Sequence, residues 1–293
     1  MSLKKIIHMS DLHLGYSGAR GQLSGLAARL RATAQGRPED YVVVVTGDLV
    51  HDAREENYGE ARDFLAGLRT AGFEVLAVPG NHDYRSGSHR VWRRTEPANV
   101  GRFKRMFFGD EPDYPKLDLL PREGGPDAIA FIGLDTMREV FRRRDAVYDR
   151  GEFNPEQLER LRAILEREEV RACGARVLYF HHHPIGDFPL PRPGGSMSLR
   201  ALLGEVIAGG TSIDALLYGH THFGRDREGY WGVPRCYNAG SATQKPRPKV
   251  INWIPAFKPR AATRCISLDL PLEADFLIGQ NKGLRAIRAD SRL

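Results

Sequence analysis

The feature that most constrains this chain is the alternation of short β-branched segments with helical segments in its first third. Strand candidates lie at Lys5–Met9, 42–46 and 73–78, and helix candidates between them at 23–34 and Glu55–Thr70. Strands that alternate with amphipathic helices are typical of sheets with parallel strands. Because the second strand is apolar throughout, we expect it to be covered on both faces. The pattern predicts an α/β fold.

The rest of the chain continues this alternation with one interruption and one long tail. The segment 84–125 is rich in Arg, Pro, Gly and aromatic residues, so we expect an insertion or cap beside a site. We predict one domain over residues 1–243 and a C-terminal extension over 244–293 that packs on the same domain. Further elements are expected as strands at 128–134, 177–180, 215–218 and 264–270, helices at 155–169 and 198–208, and a hairpin of 230–233 with 235–238 around Pro234.

Charge and composition narrow the classes of protein. The chain has 293 residues with 41% hydrophobic and 27% charged side chains, which excludes a disordered chain. Its 43 basic and 37 acidic residues give a net charge of +6, which by itself does not require a nucleic-acid partner. No apolar run approaches the roughly 18 residues of a membrane span. Three cysteines at wide, irregular spacing predict neither a disulfide framework nor a thiolate metal site, so we expect a reducing, cytoplasmic location.

Seven of the ten histidines lie just beyond the end of a predicted strand. Loops after the carboxyl ends of strands form the ligand crevice of an open α/β sheet, so we expect these residues to meet although they are distant in sequence. They stand in polar clusters that also carry carboxylates, an amide and glycines. The clusters are Asp11-Leu12-His13, Gly47-Asp48, Gly80-Asn81-His82-Asp83, His181-His182-His183-Pro184 and Gly219-His220-Thr221-His222.

The spacing within these clusters suits a pair of metal ions. Asp11 and His13 are two residues apart at a strand end and therefore point to the same side, and His220 and His222 repeat that spacing. The carboxylate of Asp48 is able to bridge two ions. Neutral imidazole combined with carboxylate and amide oxygens favours Zn, Fe, Mn or Co over Ca or Mg. Two such ions about 3.5–4 Å apart can hold a hydroxide and clamp a phosphate ester.

Each cluster taken alone is weak evidence for a metal site. A single Asp-x-His after a strand is more typical of a turn or a cap, and the histidine triplet is compatible with a structural corner that supplies one ligand at most. All five clusters occur in order, each at a strand exit. Together they indicate a metal site rather than chance.

With these five clusters the chain closely resembles the calcineurin-like metallophosphoesterase superfamily. The ordered signature of that superfamily is Asp-x-His, Gly-Asp, Gly-Asn-His-Asp/Glu, His and Gly-His-x-His, and every element is intact between Asp11 and His222. The resemblance implies a four-layer α/β/β/α sandwich of two mixed sheets. It also implies two divalent or mixed-valence transition-metal ions, Mn, Fe or Zn, at one edge of the packed sheets.

The resemblance also implies roles for individual residues. His82 would face the phosphate as the catalytic residue, with Asp83 orienting its imidazole. In the triplet, family members place the ligand two residues before the proline, which selects His182 over His181. One ion would be held by Asp11, His13, Asp48 and His222, and the other by Asp48, Asn81, His182 and His220.

The reaction implied by the resemblance is in-line attack on phosphorus by a metal-bridging hydroxide. Within the superfamily, the compact length and the triplet before Pro184 look most like the bacterial class III cyclic nucleotide phosphodiesterases. The expected function is therefore hydrolysis of a small phosphodiester, such as a cyclic nucleotide or a glycerophosphodiester. The expected partner is a small-molecule phosphoester. No membrane partner is expected, and the oligomeric state stays open.

Three alternatives use the same site or the same fold. The sequence Asp11-Leu12-His13-Leu14-Gly15 also looks like repair nucleases, although no additional DNA-binding domain is visible and nucleic acid is not favoured as a partner. A phosphomonoesterase would use the same two ions. A non-catalytic scaffold is a reading of another class, but such members usually lose ligands or the phosphate-facing histidine, and none is missing here.

Overall fold

Two β-sheets carry the fold. The structure is a computed structural model. It describes residues 5–34, 36–84, 97–108, 113–137, 155–183, 204, 206, 212–222, 224–230, 233–243, 268–269, 273–274, 276–280 and 283–287. Most of the predicted helix at 198–208 and most of the predicted strand at 264–270 lie outside the described residues.

The first sheet has three parallel strands, β1 (Lys5–Met9), β2 (Tyr41–Thr46) and β3 (Glu74–Val78), with β2 in the centre. Every residue of β2 is buried, as expected for a parallel strand covered on both faces. Two crossover helices, α1 (Ala19–Ala34) and α2 (Glu55–Thr70), connect the strands. The apolar residues of these helices join the same hydrophobic core as the sheet.

The second sheet is mixed and has six strands in the order β4-β5-β6-β7-β9-β8. Its four inner strands, β5, β6, β7 and β9, run parallel, and the two edge strands, β4 and β8, are antiparallel to their neighbours. The strands are β4 (Lys116–Leu120), β5 (Ile129–Gly133), β6 (Ala175–Tyr179), β7 (Ala215–Tyr218), β8 (Gly224–Tyr230) and β9 (Val233–Ala239).

The two faces of the second sheet pack into two different hydrophobic cores, because side chains alternate between the faces along each strand. Phe131 of β5 and Tyr179 of β6 belong to the core shared with the first sheet. Ile132 of β5 and Phe180, which directly follows β6, belong to a second core with Leu161 of helix α5 (Pro155–Glu166). Because successive residues of a strand face opposite sides, each sheet has a helical layer outside and the other sheet inside. The predicted four-layer α/β/β/α sandwich is confirmed.

Short elements complete the described chain. They are a 3₁₀ turn at Pro38–Asp40, the helices α3 (Asn81–Tyr84), α4 (Pro97–Phe103) and α6 (Glu168–Arg171), a π-helical turn at Lys104–Phe108, and two strand pairs, β10 (Leu268–Asp269) with β11 (Glu273–Ala274) and β12 (Phe276–Gln280) with β13 (Gly283–Ile287). None of the helices in the described ranges is long and apolar enough to cross a bilayer.

The structure differs from the sequence prediction at three elements. Helix α1 begins at Ala19, one turn before the predicted start, and the segment expected as an insertion contains β4, an edge strand of the second sheet. The hairpin is longer than expected, with Pro234 inside β9 instead of in the turn. Proline fits there because the register pairs Glu228 with Arg235 and Tyr230 with Val233, so that Pro234 is skipped.

We expect the substitution Leu65→Ala in α2 to lower the free energy of unfolding by about 2–5 kcal/mol, since Leu65 is fully buried in the core between α2 and the first sheet. Urea unfolding monitored by circular dichroism measures the change. The matched control is Arg62→Ala on the exposed side of the same helix, which should change stability by no more than about 0.5 kcal/mol. Equal effects of the two substitutions would contradict this packing of α2.

Candidate metal centre

The polar clusters meet where strands of both sheets end. Backbone hydrogen bonds continue the parallel pairing of β1 with β2 past the strands, from Asp11 N–H to the carbonyl of Gly47 (3.0 Å) and from His13 N–H to that of Asp48 (2.9 Å). In the second sheet, Gly219 N–H donates to the carbonyl of His181 (2.9 Å). The loops after β1, β2, β6 and β7 are therefore fixed by main-chain contacts before any side chain is considered.

Five of the predicted ligand residues have a left-handed backbone. Their φ angles are +54° for Asp11, +45° for His13, +51° for Asp48, +74° for His220 and +58° for His222. Residues other than glycine rarely adopt this conformation, and aspartate and histidine are among those that tolerate it best. Such strained backbone is concentrated at functional sites, where the surrounding structure holds it in place. The left-handed turns direct several side chains of the two sheets to one point.

Two glycines let the sheets approach closely at this edge. A Cβ at Gly47, which has a φ of +83°, would lie 2.6 Å from Nδ1 of His181. A Cβ at Gly219 would collide with Oγ of Ser10 and lie 2.7 Å from Oδ2 of Asp11. Any side chain at either position would push the two sheets apart. The glycines of the Gly-Asp and Gly-His-x-His clusters thus have a steric role next to the ligand candidates.

The first group of candidate ligands contains Asp11, His13, Asp48 and His222, whose ligand atoms all lie within 4.8 Å of one another. Nε2 of His222 lies 3.0 Å from Oδ1 of Asp11 and 3.0 Å from Nε2 of His13. Nε2 of His13 lies 3.7 Å from Oδ2 of Asp48. The structure brings together all four residues that the sequence assigned to one ion.

The second group surrounds Nε2 of His181. This atom lies 3.0 Å from Oδ1 of Asn81, 3.2 Å from Nδ1 of His220 and 3.4 Å from Oδ2 of Asp48. Nδ1 of His220 lies 3.1 Å from the same amide oxygen of Asn81. On the far side of its ring, Nδ1–H of His181 donates to the carbonyl of Thr46 (2.8 Å), which directs Nε2 toward the group.

His182, the ligand expected from the sequence, also lies near this group. Its ring centroid is 4.7 Å from that of His220, and His181, His182 and His220 form one set of potential ligands. Its Nδ1 shares a hydrogen bond of 2.8 Å with Oγ1 of Thr136 in the loop after β5, much as Nδ1 of His181 bonds to Thr46. The two histidines differ in their distance to the other donors, because His181 follows Tyr179 on the side of the first sheet and its Nε2 lies near Asp48 and Asn81.

The two buried aspartates are held as anions. Burial works against their charge, but the neighbouring histidines prevail: His222 holds the pKa of Asp11 well below its usual range, and His181 and His82 do the same for Asp48. Burial lowers the pKa of His13 to about 3, although Asp48 acts in the opposite direction. His13 therefore has the neutral imidazole that metal coordination requires.

Histidine protons balance the charge of the aspartates. Burial disfavours the charged form of His181, yet the carboxylate of Asp48 outweighs it and raises the pKa of His181 to about 9. In the same way Asp11 raises the pKa of His222. Metal ions release such protons when they bind, because they need neutral imidazole and supply the positive charge themselves. Two transition-metal ions fit this donor set of carboxylate, imidazole and amide oxygen.

The predicted catalytic pair lies at the mouth of the same centre. His82 is partly exposed, its backbone N–H donates to Oδ1 of Asp48 (2.8 Å), and its Nδ1–H donates to the carbonyl of His51 (2.6 Å). The carboxylate of Asp83, which was expected to orient the His82 ring, accepts instead from the N–H groups of Val50 (3.0 Å) and Gly80 (2.7 Å). Burial, reinforced by Asp48, raises the pKa of Asp83 to about 7.

Two residues at the site were missed by sequence reasoning. His51 comes three positions after Asp48, so its place after a strand was a signal that could have been used. Its ring joins His13 and His82 in a third set of potential ligands. Thr136 had no signal, since a single threonine after a strand resembles many loop residues. It contributes the hydroxyl that contacts His182.

Comparison with known proteins identifies the family. Residues 4–224 match the family described as calcineurin-like phosphoesterase. The chain is 26% identical to a protein of Rhodopseudomonas palustris named a probable cyclic nucleotide phosphodiesterase, over 82% of this chain and 79% of the relative. It is 24% identical to the 3',5'-cyclic adenosine monophosphate phosphodiesterase CpdA of Haemophilus influenzae, over 74% and 69% of the two chains.

Solved structures agree on the fold. A dimetal phosphatase of Danio rerio superimposes with a TM-score of 0.54 at 15% identity and covers 98% of this chain and 99% of its own. The family match extends over most of the chain and includes every polar cluster of the metal centre. The chain therefore belongs to the calcineurin-like phosphoesterase family and is a dinuclear metal-dependent phosphoric ester hydrolase.

Proposed function

We propose that this chain hydrolyses a small phosphodiester, such as a cyclic nucleotide or a glycerophosphodiester. The observation that carries the proposal is the position of His82, a partly exposed imidazole whose backbone is bonded to the carboxylate shared by both ligand groups. Two relatives named as cyclic nucleotide phosphodiesterases, similar over most of the chain, support a diester rather than a monoester.

We propose that the first ion is held by Asp11, His13, Asp48 and His222. For the second ion the proposed ligands are Asp48, Asn81, His181 and His220. His181 replaces His182 in this set because its Nε2 lies within 3.4 Å of Asp48, Asn81 and His220. Manganese, iron and zinc all suit these donors.

When bound, the two ions would activate water and neutralise negative charge on the phosphate. The residues of the chain would do the rest. Nδ1 of His82 is engaged by the carbonyl of His51, so Nε2 is the nitrogen available to protonate the leaving oxygen. Asp83 would position His82 through the backbone, because its carboxylate accepts hydrogen bonds from the N–H groups of Val50, in the loop after β2, and of Gly80, in the loop after β3 that carries His82. A third role, orienting the imidazole by direct contact, falls to His51.

A cytoplasmic location forms part of the proposal. Cys173 and Cys236 are buried, and neither belongs to a disulfide in the described part of the chain. Buried cysteines outside disulfides are typical of proteins from reducing compartments.

Asp48→Asn should weaken the binding of both ions at once, because the carboxylate of Asp48 lies next to His13 of the first group and His181 of the second. We expect the affinity for Mn²⁺ to fall by more than the roughly 10–100-fold that is typical when a residue hydrogen-bonded to a metal ligand is replaced. Isothermal titration of Mn²⁺ into the metal-free protein measures it, with the exposed Asp127→Asn as the matched control. If one ion still bound with its original affinity, Asp48 would not be shared.

His181→Ala and His182→Ala form a pair that tests the second ion. We expect His181→Ala to retain one ion per chain and His182→Ala to retain two, as measured by inductively coupled plasma mass spectrometry after dialysis. The reason is the proximity of His181 to Asn81 and Asp48. The opposite result would assign the ligand to His182, as the sequence alone suggested.

The activity itself is tested with bis-p-nitrophenyl phosphate and p-nitrophenyl phosphate as substrates of the Mn²⁺-loaded protein. We expect the diester to be preferred, and His82→Ala to keep its metal while turnover falls by about 100-fold or more, the range for the loss of an acid catalyst. The variant also controls for contaminating enzymes. Preference for the monoester would indicate a phosphatase, and full activity of the variant would exclude His82 from catalysis.

A further inference from the structure

Three side-chain rings form a row that leads from the metal centre to the surface. The imidazoles of His82 and His51 stack, with centroids 5.3 Å apart and an interplanar angle of 29°. The ring of Tyr16 lies next, 5.3 Å from His51 at 57°. Exposure is partial at His82 and His51 and reaches 36% at Tyr16. We call His82, His51 and Tyr16 the ring row.

The inner end of the ring row touches the first ligand group. The imidazole of His13 lies edge-on to His82, with centroids 4.7 Å apart at 88°, and 5.7 Å from His51 at 67°. The ring row thus begins at the centre itself and does not form a separate patch. At its outer end, Tyr16 is the only large apolar side chain that is exposed in the described part of the chain.

The backbone beneath the ring row is firmly held. His51 N–H donates to the carbonyl of Leu14 (2.8 Å), and Tyr16 N–H donates to that of His13 (2.9 Å). Gly15, between Leu14 and Tyr16, has a φ of +91°, and the side-chain amide of Asn57 occupies the space that a Cβ of residue 15 would need. The loop that carries Tyr16 is therefore tied to the loop that carries His51. A ligand would meet rings already in position and would avoid the cost of ordering them.

We infer that the ring row binds the leaving group of the ester and selects leaving groups that contain an aromatic or heteroaromatic ring. The inference rests on the proposed function, in which His82 protonates the leaving oxygen. The group attached to that oxygen must then extend past His82, and the ring row supplies planar surfaces in the outward direction. Planar rings gain affinity from offset or edge-to-face contacts that a saturated group of the same size does not make.

A pair of diester analogues, in which the ring-bearing group is joined to phosphorus by a P–C bond that cannot be hydrolysed, tests this inference by binding alone. Methyl benzylphosphonate and methyl cyclohexylmethylphosphonate carry the same anion and six-membered rings, and in both a carbon atom replaces the leaving oxygen. Isothermal titration calorimetry on the Mn²⁺-loaded protein gives the ratio of their dissociation constants. We expect the benzyl compound to bind about fivefold more tightly than the cyclohexylmethyl compound.

Variants of the ring row then locate that preference. Tyr16→Leu and His51→Leu each replace a ring with an apolar side chain. The ratio of dissociation constants should fall to about one in Tyr16→Leu, which is the decisive variant because the exposed position of Tyr16 tolerates the change. Tyr16→Phe should keep the preference. Gln22→Ala, an exposed residue on α1, is the matched control and should leave the ratio unchanged.

The outcomes separate the inference from the proposed function. Equal affinities for both compounds in the unaltered protein, or a preference that survives Tyr16→Leu, would overturn the inference and leave Tyr16 as an isolated surface aromatic. Hydrolysis of bis-p-nitrophenyl phosphate in the same preparation reports on the proposed function independently. An aromatic preference that depends on Tyr16 would support the ring row as a binding site even in a preparation without hydrolytic activity.

Discussion

The buried carboxylate of Asp48 is the group on which the rest of the site depends. Its Oδ2 lies 3.4 Å from Nε2 of His181 and 3.7 Å from Nε2 of His13, while its Oδ1 accepts a hydrogen bond from the backbone of His82. One side chain thus joins both groups of candidate ligands and the loop of His82, the proposed catalytic residue. A buried anion is costly unless opposite charge surrounds it, and here protonated histidines supply that charge until metal ions replace the protons.

The sandwich explains how one carboxylate reaches so many partners. Asp48 follows β2, the central strand of the first sheet, whose strongly apolar segment packs between the crossover helices and the second sheet. The core between the two sheets holds the ends of β2 and β6 close together, and Gly47 permits the contact with His181 because it has no side chain. Left-handed backbone at Asp48 and its neighbours costs conformational energy, which the packing of both sheets offsets.

The sequence predicted the parts of this structure that depend on local patterns. The strands β1 and β7 and the helix α2 have the expected bounds because apolar periodicity and turn residues define them, and the polar clusters meet because they follow strand ends. In the histidine triplet, the distance from Pro184 selects His182 as the ligand, whereas the alternation of side chains along β6 directs His181 toward the first sheet and Asp48. The partner of His82 was not predictable, since it is a backbone carbonyl, and backbone groups leave no mark in the residue pattern.

Electron paramagnetic resonance of the protein loaded with two equivalents of Mn²⁺ tests the central claim most directly. If Asp48 is shared by two neighbouring ions, the spectrum should show an exchange-coupled manganese pair, and Asp127→Asn should leave it unchanged. The spectrum of isolated, uncoupled Mn²⁺ at full loading would contradict a shared carboxylate and would separate the two ligand groups into independent sites.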